Sequence, residues 1–397
     1  MRRVAITGMG GMAATGRDIS TLWAAWRTGQ CGVGEIRNIP TQRLSQRLAA
    51  EIHDFDPAVH FPPRRAASLD RVAQLALVVA REAMRDVQYR DVPPGRAGVV
   101  FGAGIGQETF DDSYRELYGE AANRLHPLTV PRIMPNAPAS HIAMEFGLRG
   151  PCFAIASACA SATHAIGLAF QMIRSGQLDL IVTGGSDASI SVGFMKAWEA
   201  LRVLSPDGCR PFSRDRNGLV IGEGAGCLVL ESYDRAVSRG AEIYGEILGF
   251  GMTADASDLT APDAAGAEAA IRMALQDGGL DPDDIGYINA HGTGTRLNDR
   301  NEAAAIFSVF GAKPPPVSST KSMIGHCLCA GGALEMLATV LALRDGILPP
   351  TIGFHAPDPE CALDCIPHQA RQQQVAAALS HSFAFGGLNA VLAVGRA

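Results

Sequence analysis

No stretch of this chain approaches the roughly 18–20 consecutive apolar residues that would carry a helix across a bilayer, so the expectation is a soluble, cytoplasmic protein without membrane contact. Charge is also scarce. Asp, Glu, Lys and Arg make up 19% of the 397 residues, and the net charge of −6 is spread along the sequence. This excludes the broad basic field that nucleic acid demands, and any acidic partner must be met by a local patch. The start, MRRVAITGMGGMAATG, has two arginines and a short apolar run. Glycine interrupts that run almost at once and no small-residue cleavage site follows, so it reads as a first strand and turn instead of an export signal.

A disulfide framework is equally absent. The nine cysteines are odd in number and scattered, a pattern foreign to stapled secreted domains. Cys327/Cys329 and Cys361/Cys365 lack the paired spacing of a zinc site, so no metal is expected and most thiols read as small core residues.

What is plentiful is apolar material, 47% of the chain, enough for one large core or two fused ones. Runs of strand length alternate with helical patterns, which argues for an α/β fold. Strands fit Arg3 to Thr7, Gly98 to Ala103, Cys152 to Ala158, Leu180 to Gly184 and Cys227 to Leu230, with helices at Ser68 to Asp86 and Ala160 to Ser175. In the second part, strands fit Tyr244 to Phe250, Ile285 to Ala290, Val317 to Thr320, Ala378 to Phe383 and Ala390 to Val394. Helices there fit Ala265 to Asp277, Arg300 to Phe310 and Gly331 to Arg344. The order repeats: in CFAIASACASATHAIG and again in PVSSTKSMIGHCLCAGGALEML a strand runs into a loop and then a helix rich in small residues. Two α/β halves follow, 1–240 and 241–397, with the break in the charged segment SYDRAVSRGAE.

Cys159 stands where an apolar strand hands over to a helix, a corner that presents nucleophiles and where the helix dipole favours a thiolate. By itself it is as readily a packing cysteine. Its candidate partners are His291, which opens HGTGT after an apolar strand, and His326 in STKSMIGHC. Both lie at strand ends, where ligands of open α/β sheets bind. One thiolate and two imidazoles fit thioester exchange followed by decarboxylation, with the histidines donating to the enolate oxygen. Lys321 and Glu302 read as a buried ionic pair that orients these loops.

Taken together, RRVAITGMG, GLRGPCFAIASACASATHAIG, RPFSRDRNGLVIGEGAGCLVLE, NAHGTGT, SSTKSMIGH and SFAFGGLNAVL resemble the β-ketoacyl-[acyl carrier protein] synthases, in particular their elongating Cys-His-His group, over nearly the whole chain. The resemblance implies a thiolase-like fold of five αβαβα layers and no bound cofactor. It implies acyl and malonyl thioesters on phosphopantetheine as substrates, acyl carrier protein as partner, and a homodimer or a heterodimer with a chain-length partner.

Carried over position by position, Cys159 matches the acylated nucleophile, His291 and His326 the decarboxylation pair, Lys321 the lysine beside them and Glu302 its acidic partner. Phe385 falls on the gate between acyl pocket and malonyl site, where its amide and that of Cys159 form an oxyanion hole. Thr293 and Thr295 match hydroxyls that bind the phosphopantetheine arm. Trp198 is read either as the far wall of the acyl pocket or as an interface residue, and Phe110, in the segment from Gln107, as lining the pocket from a partner subunit. Arg64, Arg65, Arg71 and Arg202 form the candidate carrier-protein patch.

The sequence departs from the elongation pattern at Phe383-Ala384-Phe385, where Phe-Gly-Phe is commoner, at Leu388 and in HGTGT, and Ala66, Ala67 and Ser68 stand where basic residues are usual. A methyl at Ala384 would narrow the angles open to the gate. These departures favour a specialised polyketide or polyene pathway with its own carrier over general fatty-acid elongation. Among competing readings, Gly8 to Ala13 imitates a dinucleotide-binding turn but lacks a helix behind it. A thiolase would need a second catalytic cysteine where this chain has SFAFGGLN. Starter-unit enzymes carry asparagine in place of His326, and non-catalytic chain-length subunits lack the cysteine.

Overall fold

A computed structural model describes residues 1–85 and 87–397. Ten strands form its main sheet: β1 (Val4–Ala13), β2 (Ala97–Ala103), β3 (Cys152–Ile155), β4 (Leu180–Asp187), β5 (Gly224–Ser232), β6 (Gly245–Ala254), β7 (Ile285–Asn289), β8 (Val317–Ser318), β9 (Ala377–Ala384) and β10 (Leu388–Gly395). The helices that frame the site are α1 (Arg71–Ala83), α2 (Gln107–Tyr114), α3 (Ala137–Phe146), α4 (Ser161–Arg174), α5 (Val192–Ala200), α6 (Ala264–Gly278), α7 (Arg296–Phe310) and α8 (Gly331–Asp345). The sequence-predicted elements are all present, with ends moved by a few residues; Asp86, the predicted end of the first helix, lies outside the described residues.

Strand order exposes the duplication. The first five strands run 3-2-4-5-1 across the sheet and the last five run 8-7-9-10-6, the same order advanced by five. The senses of pairing match as well: β2 is parallel to β3 and β4, and β7 to β8 and β9, while the remaining neighbours are antiparallel. The halves meet where β1 pairs antiparallel with β6 through Val4–Ile247, Ala5–Glu246 and Ile6–Gly245.

Helices α1 and α3 cover the outer face of the first half and α6 packs on β6 and β10 of the second, with α7 against α6. Between the halves lie α4 and α8. Small residues make this burial possible: a Cβ added to Gly332 of α8 would come within 2.0 Å of Thr163 Oγ1 on α4, so the helices cross at backbone distance. Every residue of α8 from Gly331 to Leu343 is buried.

The glycines near the start do different work from that expected. Instead of ending in a turn, β1 continues to Ala13, buried throughout. A Cβ on Gly8 or Gly10 would fall 2.1 Å from Ala83 O or 2.0 Å from Val79 O. These glycines therefore let α1 lie directly on the strand, and the phosphate-binding turn of a dinucleotide site is not formed.

Candidate active site

Strand β3 stops at Ile155, earlier than expected, because the chain must turn before α4. Ala158 adopts φ +49°, and Ala158–Ala160 form a 3-10 turn that delivers Cys159 to the helix start. The second half repeats the device: Leu328 has φ +45°, and Leu328–Ala330 lead into α8. The two turns pack against each other, so two helix N-termini converge on one point. His291 follows β7, and His326 is held by an N–H···O bond of 2.7 Å to Val220 O.

These elements bring the sulfur of Cys159 and one ring nitrogen each of His291 and His326 to within 4.8 Å of one another. The imidazole rings meet edge to face with centroids 5.3 Å apart. All three residues line one cavity with Thr293, Thr295, Phe383, Phe385 and Trp198. A ligating thiol must be a thiolate, and the burial described next works against metal ligation by this cluster.

The helix start does not by itself yield a resting thiolate. Burial pushes the Cys159 thiol up to about 11, against the opposing pull of Lys321 and of the backbone N–H groups of Cys159 and Phe385. Desolvation outweighs the helix-end field here. Those two N–H groups are the pair expected to form an oxyanion hole, and both face the sulfur. Burial, reinforced by Lys321, also holds both histidines well below their usual range. They are neutral at physiological pH.

Their hydrogen bonds fix the tautomers. His326 Nδ1 accepts from the Leu328 N–H at 3.2 Å, which leaves the proton on Nε2, a buried atom with no partner among the described residues. His291 Nδ1 lies 3.2 Å from Lys321 Nζ. An ammonium can only donate, so His291 likewise carries its proton on Nε2.

One expected pair is not formed. Lys321 bonds to Glu335, both about 99% buried, and not to Glu302. Glu335 lies on α8, which passes beside Lys321, whereas Glu302 on α7 is turned to the backbone: it accepts from His291 N–H and Gly292 N–H, each at 2.8 Å. Its Oε1 also lies 3.1 Å from His381 Nδ1. Sequence reasoning missed Glu335 and His381, although each had a signal: Glu335 is the only acid in GGALEMLATVLAL, and His381 interrupts an apolar strand.

The ring of Trp198 stacks on Phe385 at 6.0 Å and 24° and meets Phe194 edge-on, which places Trp198 in the cavity wall. Phe110, on α2, contacts Tyr114 and is not among the residues of its own chain that line this cavity. Ala384 ends β9 paired with Leu388, and the left-handed angles belong to Gly386 and Gly387 (φ +84° and +67°). The added methyl therefore falls outside the residues with left-handed angles. Gly386 N–H donates to Leu259 O at 2.7 Å and Asp255 N–H to Gly387 O at 2.9 Å, tying the Phe385 loop to the segment over the cavity mouth.

Of the arginines, Arg64 and Arg202 are exposed and Arg65 is near Glu145 at 3.7 Å. Arg71 is not available to a partner, because its guanidinium is drawn inward to Glu223 (2.7 Å) and Ile52 O (3.0 Å).

Residues 1–236 match the family model of the β-ketoacyl synthase N-terminal domain and residues 244–355 that of the C-terminal domain. The chain belongs to the β-ketoacyl synthase family. As such it is a condensing acyltransferase that forms 3-oxoacyl thioesters. It is 47% identical to nodulation protein E of Rhizobium sp. (strain N33), over 99% of this chain and 98% of that protein. It is 41% identical to 3-oxoacyl-[acyl-carrier-protein] synthase 2 of Staphylococcus aureus (strain N315), over 98% and 97%. Among solved structures, the ishigamide ketosynthase/chain length factor superposes with a TM-score of 0.94 at 36% identity, covering 100% of this chain and 99% of that one. The expected thiolase-like architecture is thus the one found in this ketoacyl synthase. No described helix is long and apolar enough to cross a membrane.

Proposed function

We propose that this synthase elongates a carrier-bound acyl chain in a specialised pathway, with Cys159 as the acylated nucleophile and His291 and His326 as the donors that drive loss of carbon dioxide from a malonyl carrier thioester. The observation that carries this reading is the approach of the Cys159 sulfur and both imidazoles within 4.8 Å. In the first half-reaction the sulfur attacks the acyl thioester, the Cys159 and Phe385 N–H groups stabilise the oxyanion, and collapse to acyl-Cys159 expels the carrier sulfur, which leaves as a thiol with the proton that Cys159 gives up. The second substrate enters past Thr293 and Thr295, whose hydroxyls bond to each other at 2.9 Å and are free to turn to a phosphopantetheine arm. Two neutral imidazoles with protons on Nε2 then donate to its thioester oxygen, carbon dioxide leaves, and the enolate carbon attacks the acyl group on Cys159. The sulfur departs as thiolate. No bound cofactor takes part.

The chain's halves divide this work: residues 1–240 supply the nucleophile, and 241–397 supply the histidines, Lys321 and the gate at Phe385. The specialised pathway is favoured by the higher identity to nodulation protein E than to the fatty-acid synthase relative. We place the enzyme in the cytoplasm as a homodimer, with acyl carrier protein docking at Arg64, Arg65 and Arg202. The structural neighbour that combines a ketosynthase with a chain length factor supports a heterodimer as the second reading.

The test is intact-protein mass spectrometry after incubation with acyl carrier thioesters of different length. One acyl mass on Cys159, absent from Cys159→Ala, is expected. A full adduct on the alanine variant would remove Cys159 from this role.

A further inference from the structure

We infer that His381 is a positioning residue for the decarboxylation step, registering the His291 loop against the strand that carries Phe385 by way of Glu302. The inference rests on the roles proposed above for Cys159 and His291.

Three donors converge on one carboxylate. Glu302 takes the His291 N–H on Oε1 and the Gly292 N–H on Oε2, and His381 Nδ1 stands 3.1 Å from Oε1. Glu302 and His381 are both buried, His381 completely. An ionised carboxylate has only acceptors, so the contact at Nδ1 is an N–H donated by His381. The other ring nitrogen, Nε2, has no partner among the described residues, so the imidazole keeps a polar atom in the core at a cost and supplies one bond in return.

That bond adds a side-chain tie between β9 and the His291 loop just past the point where the β7–β9 ladder ends, at Asn289 and Ser380. His381 lies on β9, four residues before Phe385, and its ring packs on Phe383 at 5.3 Å; Phe383 in turn lies 6.2 Å from the ring of His291. Strand β9 is fixed on both edges, by β7 and β10. The loop at His291 and Gly292 has left the sheet, and Gly292 has a positive φ of 36°. Glu302 holds that loop from α7, and His381 ties Glu302 to the fixed strand. The groups that must reach the two thioester oxygens, the His291 ring and the Phe385 N–H, are thereby held in one frame, and a shift of about 1 Å in such a frame can cost about a hundredfold in rate.

The prediction separates the half-reactions. Acylation of Cys159 depends on the turn before α4 and on β9, neither of which needs the His381 bond. Decarboxylation depends on where the His291 ring stands. In the full-length enzyme, His381→Leu removes the donor and His381→Asn keeps an N–H close to the place of Nδ1. We expect both variants to acylate Cys159 within about threefold of the wild-type rate. Carbon dioxide release from malonyl carrier protein should fall by about 30- to 100-fold in His381→Leu and by less than about fivefold in His381→Asn.

A leucine variant that releases carbon dioxide normally overturns the inference. So does one that loses both half-reactions equally, or an asparagine variant that falls as far as leucine, since packing alone would then account for the residue. Should His381→Leu fail to fold, His381→Ser, which also lacks the reach to Glu302, takes its place with the same readings. His291→Ala is assayed in parallel. If it too releases carbon dioxide normally, the assigned role of His291 fails; if it is inactive while His381→Leu is normal, only the present inference falls.

Discussion

Lys321 and Glu335 form an ion pair fourteen residues apart in sequence, with both side chains about 99% buried. The pair sits behind His291, whose Nδ1 is 3.2 Å from the ammonium. Removing one partner of such a pair strands the other charge in the core, at a cost of about 3–5 kcal/mol. Glu335→Leu is therefore expected to lower the unfolding free energy by that amount in denaturant titration. Glu302→Gln, which keeps an acceptor for one backbone N–H, should cost about 1–3 kcal/mol. Equal losses would argue that Lys321 is shared between the two carboxylates.

The pKa of the proposed nucleophile predicts its own pH dependence. With the Cys159 thiol raised to about 11 by burial, only a small fraction is thiolate at neutral pH. Alkylation of Cys159 by iodoacetamide is expected to rise close to tenfold per pH unit from pH 7 to 9, read by peptide mass spectrometry. A plateau in that range would place the thiol far lower.

Stability should respond to pH through the histidines. His326 is held well below its usual 6.5, so below pH 6.5 the unfolded chain binds a proton that the folded one does not. The contribution of His326 is thus fully present above pH 6.5 and is lost as pH falls, with a slope of up to about 1.4 kcal/mol per pH unit. In His326→Asn, unfolding free energies between pH 7 and 5.5 should fall less steeply than in the wild type. Parallel curves would indicate that His326 titrates alike in the folded and unfolded chain.

Trp198 stacks on Phe385 inside the cavity, so Trp198→Ala opens space at the expected gate. The product profile should move to longer acyl chains by at least one two-carbon addition, measured by mass spectrometry of carrier-bound products. An unchanged profile would mean that the indole braces the gate without limiting the chain.

Two arginines of the candidate carrier-protein patch should behave differently. Arg202 is exposed, and Arg202→Glu is expected to raise the KM for carrier protein about 5- to 10-fold with kcat little changed. Arg71→Ala instead exposes the loss of a buried partner for Glu223. Its expected effect is on thermal stability, by about 3–5 kcal/mol, with the carrier KM unchanged.

Much of this arrangement was legible because reactive side chains stood at the ends of apolar strands, where the period of the sequence already marked a boundary. That was true of Cys159, His291 and His326. What escaped were features decided by elements far apart in sequence. Which acid meets Lys321 depends on the crossing of α8, and the glycines of β1 look like a turn until α1 is laid over them. The thiol at Cys159 was misjudged for a related reason: a helix end is visible in sequence, but the completeness of burial is not.

The duplicated turns place two thiols in matching positions with different buried charges around them. Cys329 stands in the second turn as Cys159 stands in the first, each at the middle of its 3-10 segment. Beside Cys329 lies Asp187, whose carboxylate accepts the Cys329 N–H at 3.3 Å, and burial together with that carboxylate holds the Cys329 thiol well above its usual range. Cys159 also feels Asp187, but there the stronger influence of Lys321 opposes it. A fold that repeats its geometry thus offers two thiols the same stage, and the balance of buried charge favours the thiolate at Cys159 over that at Cys329.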